Sequence, residues 1–179
     1  MRYLQSLHIK NGVIDFERGH YFVTDEWSMS HEKSILQEGD ILIVQTGDIG
    51  QTAVVTREHV GCNCHALIIA SPRRDMVLPE YLELVLRSAY GRACFVLFST
   101  GALHPHLNCS NIRDIKVPLP PMSIQREILA KARAIQERRR LFLQSVTQHI
   151  SHLREYRASL ISGAVTGQLD MDNYGKGGW

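Results

Sequence analysis

The feature of this 179-residue chain that most constrains its fold is a long stripe of apolar residues toward its C-terminal end. From residue 128 onward, positions spaced alternately four and three apart are apolar, with Arg139 and His149 as the two polar exceptions. This repeat predicts one α-helix over residues 122–165 that carries the stripe along one face. The apolar members of the stripe are Ile128, Ala132, Ile135, Phe142, Val146, Leu153, Tyr156 and Leu160.

A helix of that length, about 60 Å at 1.5 Å per residue, is longer than a domain of roughly 120 residues is wide. Such a domain cannot cover the whole stripe. We therefore predict that the helix forms an antiparallel coiled coil with a second helix. The two polar positions would set the register at some loss of stability, or would mark where the helices separate. A helix that folds back on its own domain is the alternative.

The residues before the helix alternate short apolar runs with turn signals. The runs "DILIVQ" and "QTAVVT" predict two strands joined by the glycine-containing turn "TGDIG", and "HALIIAS" predicts a third strand that ends at Pro72. A helical pattern starts near Pro79, with Tyr81, Leu84, Val85 and Ala89 on one face. The segment "IRDIKVPLP" is expected to be extended, because proline biases the preceding residue away from helix.

These patterns predict an α+β, or mixed, fold with three parts. Residues 1–121 form a β-rich globular domain, residues 122–165 form the long helix, and residues 166–179 form a tail. The tail combines several glycines with low hydrophobicity, a composition typical of disorder.

Composition and charge indicate a cytoplasmic protein. No apolar run is long enough to span a bilayer, and the N-terminus lacks the pattern of a secretory signal. The four cysteines do not have the dense spacing of a disulfide scaffold, so we expect reduced, mostly buried thiols. Residues 1–121 hold 11 basic and 13 acidic residues, whereas residues 122–163 hold 8 basic and 3 acidic. The basic helix is compatible with nucleic-acid binding or with an ordinary solvated face.

Several segments together resemble the specificity subunits of type I restriction-modification systems. "KVPLPPMSIQREILA" and "HLREYRASLISGAVTGQLD" are similar to the segments that open and close the helical region of those subunits. "LQEGDILIVQTGDIGQTAVV" and "STGALHPHLNCSNIRDIKVPLPP" resemble the target-recognition domain that precedes such a helix. Ile124 stands where family members usually carry glutamate. A full subunit has two recognition domains and two helices, whereas this chain has one of each, and its recognition domain is expected to lack an N-terminal portion. We therefore expect a half-subunit that dimerises, or a fragment.

The resemblance implies a non-catalytic protein with no cofactor of its own. The implied partners are double-stranded DNA, DNA adenine methyltransferase subunits that use S-adenosylmethionine, and a motor-nuclease restriction subunit. Each recognition domain in that family reads one half of a bipartite target, and the paired helices hold the two domains apart. For this chain we expect a homodimer through the helix. The sequence also contains no nucleophile elbow, phosphate-binding glycine loop or methyltransferase motif.

Base recognition requires Arg, Lys, Asn, Gln or small polar side chains on loops that reach a DNA groove. The candidates in residues 1–121 are Lys10, Asn11, Gln45, Thr46, Gln51, Arg73, Arg74, His104 and His106. Each of them could equally be a solvated loop residue. Because this part of the chain is slightly acidic, we expect the partner methyltransferase to supply much of the phosphate contact.

Two other interpretations are left open by the residues. A zinc site is conceivable from Cys62, Cys64, His65, His104, His106 and Cys109. However, the Cys-x-Cys-His spacing is unusual for zinc, and strand alternation places Cys62 and Cys64 on one face as two buried small hydrophobes, so we predict no metal. The alternative function is a coiled-coil interaction module that does not bind DNA, or an inactive specificity-subunit fragment.

Overall fold

The computed structural model describes residues 1–101 and 105–169 of the chain. The chain divides into two compact units, Met1–Leu129 and Ala130–Trp179. The first unit mixes short strands with helices, and the described part of the second is dominated by one helix. The predicted fold class, a mixed domain followed by a long C-terminal helix, is confirmed. Within the described ranges, no helix is both long enough and apolar enough to cross a membrane.

The secondary structure elements are short until the last helix. The strands are β1 (Tyr3–Leu4), β2 (Ile9–Lys10), β3 (Val13–Ile14), β4 (Ile41–Val44), β5 (Thr52–Val54), β6 (Asn63–Cys64) and β7 (Leu67–Ala70). The α-helices are α1 (Asp25–Ser30), α2 (Pro79–Arg87), α3 (Ala89–Phe98), α4 (Cys109–Ile112) and α5 (Met122–Val165). Single 3-10 turns cover Ser6–His8, Phe16–Arg18, Glu32–Ser34 and Arg57–His59.

An antiparallel sheet of three strands forms the centre of the first unit. β4 lies between β5 and β7, and all four of its side chains are buried. Because side chains alternate along a strand, Leu42 and Val44 join one apolar cluster while Ile41 and Ile43 join another. The sheet therefore separates two packed layers, and the three strands predicted from the apolar runs are confirmed.

A tight hairpin, β2 and β3, packs beside this sheet. Its register pairs Lys10 with Val13, so Asn11 and Gly12 form a two-residue loop. Both loop residues have positive φ, 52° for Asn11 and 86° for Gly12, as a type I′ turn requires. Gly12 also forms a bridge to Ala53 of β5, which places the tip of the hairpin against the edge of the central sheet.

The cysteine segment forms a parallel pair of strands, β1 and β6, that the sequence patterns did not predict. Cys62 and Cys64 are buried in the same cluster as Leu42 and Val44, which confirms their predicted role as small core residues. Burial raises the pKa of the Cys64 thiol to about 12 and also raises that of Cys62. Both thiols are therefore protonated at neutral pH.

Two consecutive helices cover one face of the sheet. Pro79 is the first residue of α2, as its position in the sequence predicts. The chain then bends at Ser88, whose extended backbone and side-chain oxygen cap α3 by accepting a hydrogen bond from the Gly91 N–H (3.3 Å). Ala89 therefore begins a second helix and does not continue the apolar face of α2. The segment 113–121, all of it described, forms no strand; Tyr81 Oη donates to the carbonyl of Pro118 (3.1 Å).

The start of α5 is fastened to the first unit by one buried glutamine. The Gln125 side chain is fully buried, and its Oε1 accepts from the Leu78 N–H (2.9 Å). Its Nε2 donates to the carbonyls of Met76 (3.0 Å) and Pro120 (2.8 Å). One side chain thus joins α5 to the loops that precede α2 and α5. One turn later Leu129 packs against Val77 and Tyr81.

From Ala130 onward the side chains of α5 are almost all exposed in the single chain. Ile135, Phe142 and Leu153 of the stripe are each 67% exposed. The helix ends as the glycines predict. Gly167 has φ +71°, its N–H donates to Ala164, and the Gln168 N–H donates to Gly163, the hydrogen bonds of a Schellman cap. The predicted disorder of the tail beyond residue 169 lies outside the described residues.

Candidate nucleic-acid interface

The turn between β4 and β5, residues 45–51, is held in a fixed shape by glycine. Gly47 and Gly50 have φ values of +81° and +78°, which side chains rarely adopt. A Cβ at Gly50 would also lie 2.6 Å from the ring of Phe95, a buried residue of α3. The turn therefore packs against the core at Gly50, while Thr46, Gly47 and Asp48 are exposed.

A polar network joins this turn to the tip of the β2–β3 hairpin. Lys10 Nζ donates to Asp48 Oδ2, and Gln51 Nε2 donates to the same oxygen (3.3 Å). Gln51 Oε1 accepts from the backbone N–H of Asn11 (2.9 Å). Lys10 and Asn11 are about 40 positions away in sequence from Asp48 and Gln51, their partners in these contacts. The network therefore aligns two loops that would otherwise be independent.

The charges of this network offset one another only in part. The hydrogen bond from Lys10 holds the pKa of the Asp48 carboxyl below its ordinary value, and the positive charge of Arg92 on α3 acts in the same direction. Lys10 and Asp48 are each about half exposed, so water screens the ion pair and its contribution to stability is small. Two cations around one carboxylate leave a local surplus of positive charge.

A third segment reaches the same turn from the other side. His106 forms bridges with both Thr46 and Thr100, and the Leu107 N–H donates to the Gln45 carbonyl (2.9 Å). Leu107 is fully buried, so it anchors this segment to the core. We call the surface formed by residues 10–12, residues 45–51, Arg92 and His106 the turn edge. His104 lies outside the described residues.

The turn edge brings six of the nine predicted DNA-contact residues together. Lys10, Asn11, Thr46 and His106 carry exposed or half-exposed side chains on it, and Gln45 is half-buried beside them. Gln51 has a different role from the predicted one. It is only 7% exposed, and its amide is used within the network, so it supports the loops and does not present a free group to DNA.

Arg73 and Arg74 are not part of the turn edge. They follow β7, whose last residue, Ala70, pairs with Ile41 at the beginning of β4. The turn edge follows Val44, at the opposite end of the same strand. Arg73 is ion-paired with Asp75 (3.0 Å). The two groups of candidates therefore lie at opposite ends of the sheet.

A buried acidic side chain, Glu83 of α2, lies next to the tip of the β2–β3 hairpin. Glu83 of α2 is 6% exposed and accepts from Thr52 Oγ1 (3.0 Å) and from Arg87 Nε (2.8 Å). A Cβ at Gly12 would lie 3.2 Å from Glu83 Oε1, so the backbone of the hairpin tip passes close to this pair. Burial raises the pKa of Glu83, and the nearby Arg87 opposes that rise.

Sequence patterns missed three members of this arrangement. Asp48 and Arg92 belong to the turn edge, and Glu83 lies behind it. Only the "GDIG" turn gave a local signal for Asp48, because aspartate is common in turns. Arg92 belongs to this arrangement because its charge acts on Asp48, and Glu83 because it accepts a hydrogen bond from Thr52 of a distant strand. The described residues also contain no group of three or more His, Cys, Asp or Glu that could hold a metal ion.

Comparison with known proteins agrees with this architecture. The structure is similar to that of the HsdS subunit from Thermoanaerobacter tengcongensis, with a TM-score of 0.60 and 23% identity over 78% of this chain and 36% of that one. It is also similar to a chain from a structural study of complex assembly and conformational transition of the type I R-M system. That match has a TM-score of 0.66 and 20% identity, over 95% of this chain and 43% of the other. The fold is that of a target-recognition domain with its helix.

The sequence places the chain within one family. The family described as the type I restriction modification DNA specificity domain matches residues 2–137. The specificity subunit of the type I restriction enzyme EcoBI from Escherichia coli is 24% identical over 148 residues, which cover 82% of this chain and 31% of the relative. The chain belongs to the type I restriction-modification DNA specificity family. It spans about a third of the length of that curated relative.

Proposed function

We propose that this chain is a DNA sequence-specificity module of a type I restriction-modification system and that it reads one half of a bipartite target. The observation that carries the proposal is the turn edge. Its exposed polar side chains come from three separate segments that buried anchors hold in place, which is the arrangement base readout requires. Family membership over residues 2–137 supports the same role.

The turn edge contains the kinds of groups that contact DNA. Asn11, Thr46 and His106 offer donors and acceptors for base edges, whereas Lys10 and Arg92 offer positive charge for phosphates. Asp48 offsets part of that charge. Residues 1–121 are also slightly acidic in total, so the domain alone should bind DNA weakly. A partner DNA adenine methyltransferase subunit would add phosphate contacts.

In this proposal the chain itself does no chemistry and needs no cofactor. The partner methyltransferase subunits use S-adenosylmethionine to methylate adenine, and a motor-nuclease subunit cleaves unmodified DNA. Helix α5 serves as a dimerisation spacer that pairs antiparallel with a second helix. Two recognition domains held at one separation accept only half-sites at the matching separation, because a misplaced domain loses base contacts worth about 1 to 3 kcal/mol per bidentate pair.

The test is to map methylated adenines in the genome of a host without its own adenine methylation, after co-expression of the chain with its methyltransferase subunit. Identical recognition domains related by a two-fold axis should yield a split palindrome. The alternative function, a protein-interaction module, has the exposed stripe of α5 in its favour. A stable complex that methylates no defined motif would support that alternative and contradict the proposal.

Two double variants with equal charge loss identify the surface that reads the target. Lys10→Ala with Arg92→Ala removes two cations from the turn edge, and Arg73→Ala with Arg74→Ala removes two from the other end of the sheet. We expect the first pair to lower methylation of the motif at least tenfold and the second to leave it within twofold. If the second pair lowered methylation and the first did not, the DNA interface would lie at the end of the sheet that carries Arg73 and Arg74.

A further inference from the structure

The stripe of α5 contains two polar side chains whose chemistry is complementary. His149 Nδ1 lies 2.9 Å from the carbonyl oxygen of Ser145, one turn earlier in the same helix. A carbonyl oxygen can only accept a hydrogen bond, so Nδ1 carries the proton that is donated to it. In the neutral ring, Nε2 is then an acceptor. Arg139, the other polar member, has only donors.

We infer that the stripe of α5 binds the stripe of a second copy of this chain in one antiparallel register, in which Arg139 lies opposite the partner's His149. The inference deepens the proposed function, since it rests on pairing of the helix and specifies how that pairing is aligned. Both partners present the same stripe, so each contact occurs twice about a two-fold axis.

The register follows from the positions of the stripe residues, which are symmetric about Gln144. With Gln144 at the two-fold axis, Ile135 lies opposite the partner's Leu153 and Phe142 lies opposite the partner's Val146. The outermost member, Ile128, lies opposite the partner's Leu160. Every apolar member then faces an apolar member, and Arg139 faces the partner's His149 twice. The arginine donates to Nε2, so the polar groups satisfy each other.

Sliding one helix by a heptad in either direction breaks this match. In one direction Arg139 faces the partner's Phe142, and in the other it faces the partner's Tyr156. Each shift also places His149 opposite an apolar residue and leaves two stripe positions at the end of each helix without a facing residue. The shifted registers are disfavoured because His149 loses its polar partner in both of them and fewer apolar side chains are covered.

A parallel pair is disfavoured by the same two residues. In a parallel coiled coil each position faces its own copy, so Arg139 would face the partner's Arg139. Two guanidinium groups then meet with equal charge and with no acceptor between them. His149 would likewise face the partner's His149. Only the antiparallel register about Gln144 combines complete apolar contact with a polar layer of donor against acceptor.

Cysteine cross-linking of the full chain tests the register without DNA. Exposed Cys109 and half-buried Cys94 are first replaced by serine and alanine, so that they cannot react. A chain with Ile135→Cys is then mixed with a chain with Leu153→Cys under mild oxidation. We expect a disulfide between the two different variants. Neither variant should link to itself, because in this register its two copies of the cysteine are about 27 Å apart along the axis.

Three other results would overturn the inferred register. Efficient self-linking of Ile135→Cys alone would indicate a parallel pair. A link between Ile135→Cys and Val146→Cys, without one to Leu153→Cys, would indicate a helix shifted by a heptad. A wild-type chain that stays monomeric in sedimentation at tens of micromolar would exclude self-pairing. Correct cross-links in a chain that directs no methylation motif would leave the register standing and count against the proposed function.

Discussion

At the residue scale, Gln125 shows how much of the first unit depends on a single amide. Its side chain satisfies one backbone N–H and two backbone carbonyls where water is excluded. Gln125→Ala should lower the free energy of unfolding by about 2 to 3 kcal/mol, because a buried group left without a partner costs about 1 to 3 kcal/mol. Urea denaturation measures the change.

The matched control for that substitution is Gln144→Ala, the same chemical change at an exposed position of the same helix. It should change the unfolding free energy by no more than about 0.5 kcal/mol in conditions where the chain is monomeric. Equal midpoints for the two variants would mean that Gln125 does not fasten α5 to the first unit.

In the proposed interface we expect Asp48 to set the balance between specific and non-specific DNA binding. Asp48→Asn removes the carboxylate that lowers the positive charge around Lys10 and Arg92. We expect tighter binding to random DNA and a slope of log Kobs against log salt that is steeper by about 0.9, one additional phosphate contact. Fluorescence anisotropy over a salt series measures both. Glu26→Gln, an exposed acidic change on α1, is the control.

The pH of that experiment follows from the pKa of Asp48. Because the folded protein lowers this pKa, the stabilising contribution of the carboxylate is present above the ordinary carboxyl value and is lost as the pH falls through the lowered value. At pH 7 the carboxylate is fully charged. A salt slope that did not differ between wild type and Asp48→Asn at pH 7 would contradict the role of Asp48.

At the scale of elements, the pairing of α5 should depend on pH through His149. A protonated ring would donate from Nε2 and would place a positive charge opposite the partner's Arg139, so the inferred pairing favours the neutral ring. In the inferred register Arg138 and the partner's His152 would lie at the flank of the same layer, whereas Glu137 and Glu155 would lie on the far side of the helix. We therefore expect the pairing to weaken as the solution becomes more acidic.

Between pH 8 and pH 5.5 we expect the dimer dissociation constant to rise, because a charged imidazole cannot accept a hydrogen bond from Arg139. His149→Gln keeps an acceptor for arginine and cannot be charged, so its dissociation constant should change much less. His152→Gln should retain most of the wild-type dependence. Analytical ultracentrifugation at several pH values measures all three. Equal pH profiles for wild type and His149→Gln would show that this histidine does not face a cation.

Local signals were enough to predict the elements that are stabilised locally. Continuous apolar runs gave β4 and β7, Pro79 gave the start of α2, and the four-and-three spacing gave α5. The parallel pair of β1 with β6 was missed because each strand is two residues long and its partner is about 60 residues away. The ion pair between Lys10 and Asp48 and the burial of Gln51 were missed for the same reason. For a polar residue in a loop, the sequence does not show whether the side chain contacts the rest of the protein or DNA.

At the scale of the whole molecule, the proposal couples two properties that reside in different parts of the chain. The turn edge would determine which bases are read, and α5 would determine whether two recognition domains act together. A single domain cannot measure the distance between half-sites. Loss of pairing should therefore abolish recognition of a split motif even when the turn edge is unchanged.

Ile135→Asp tests that coupling. The residue is 67% exposed in the single chain, so the substitution should leave the fold of each chain intact. In the pair it would place a carboxylate in an apolar layer twice, and we expect dimerisation to weaken at least a hundredfold. Gln148→Asp adds the same charge on the opposite face of α5 and should leave the dimer unchanged. If methylation of a split motif persisted in monomeric Ile135→Asp, the helix could not be the element that measures half-site separation, because one recognition domain contacts one half-site.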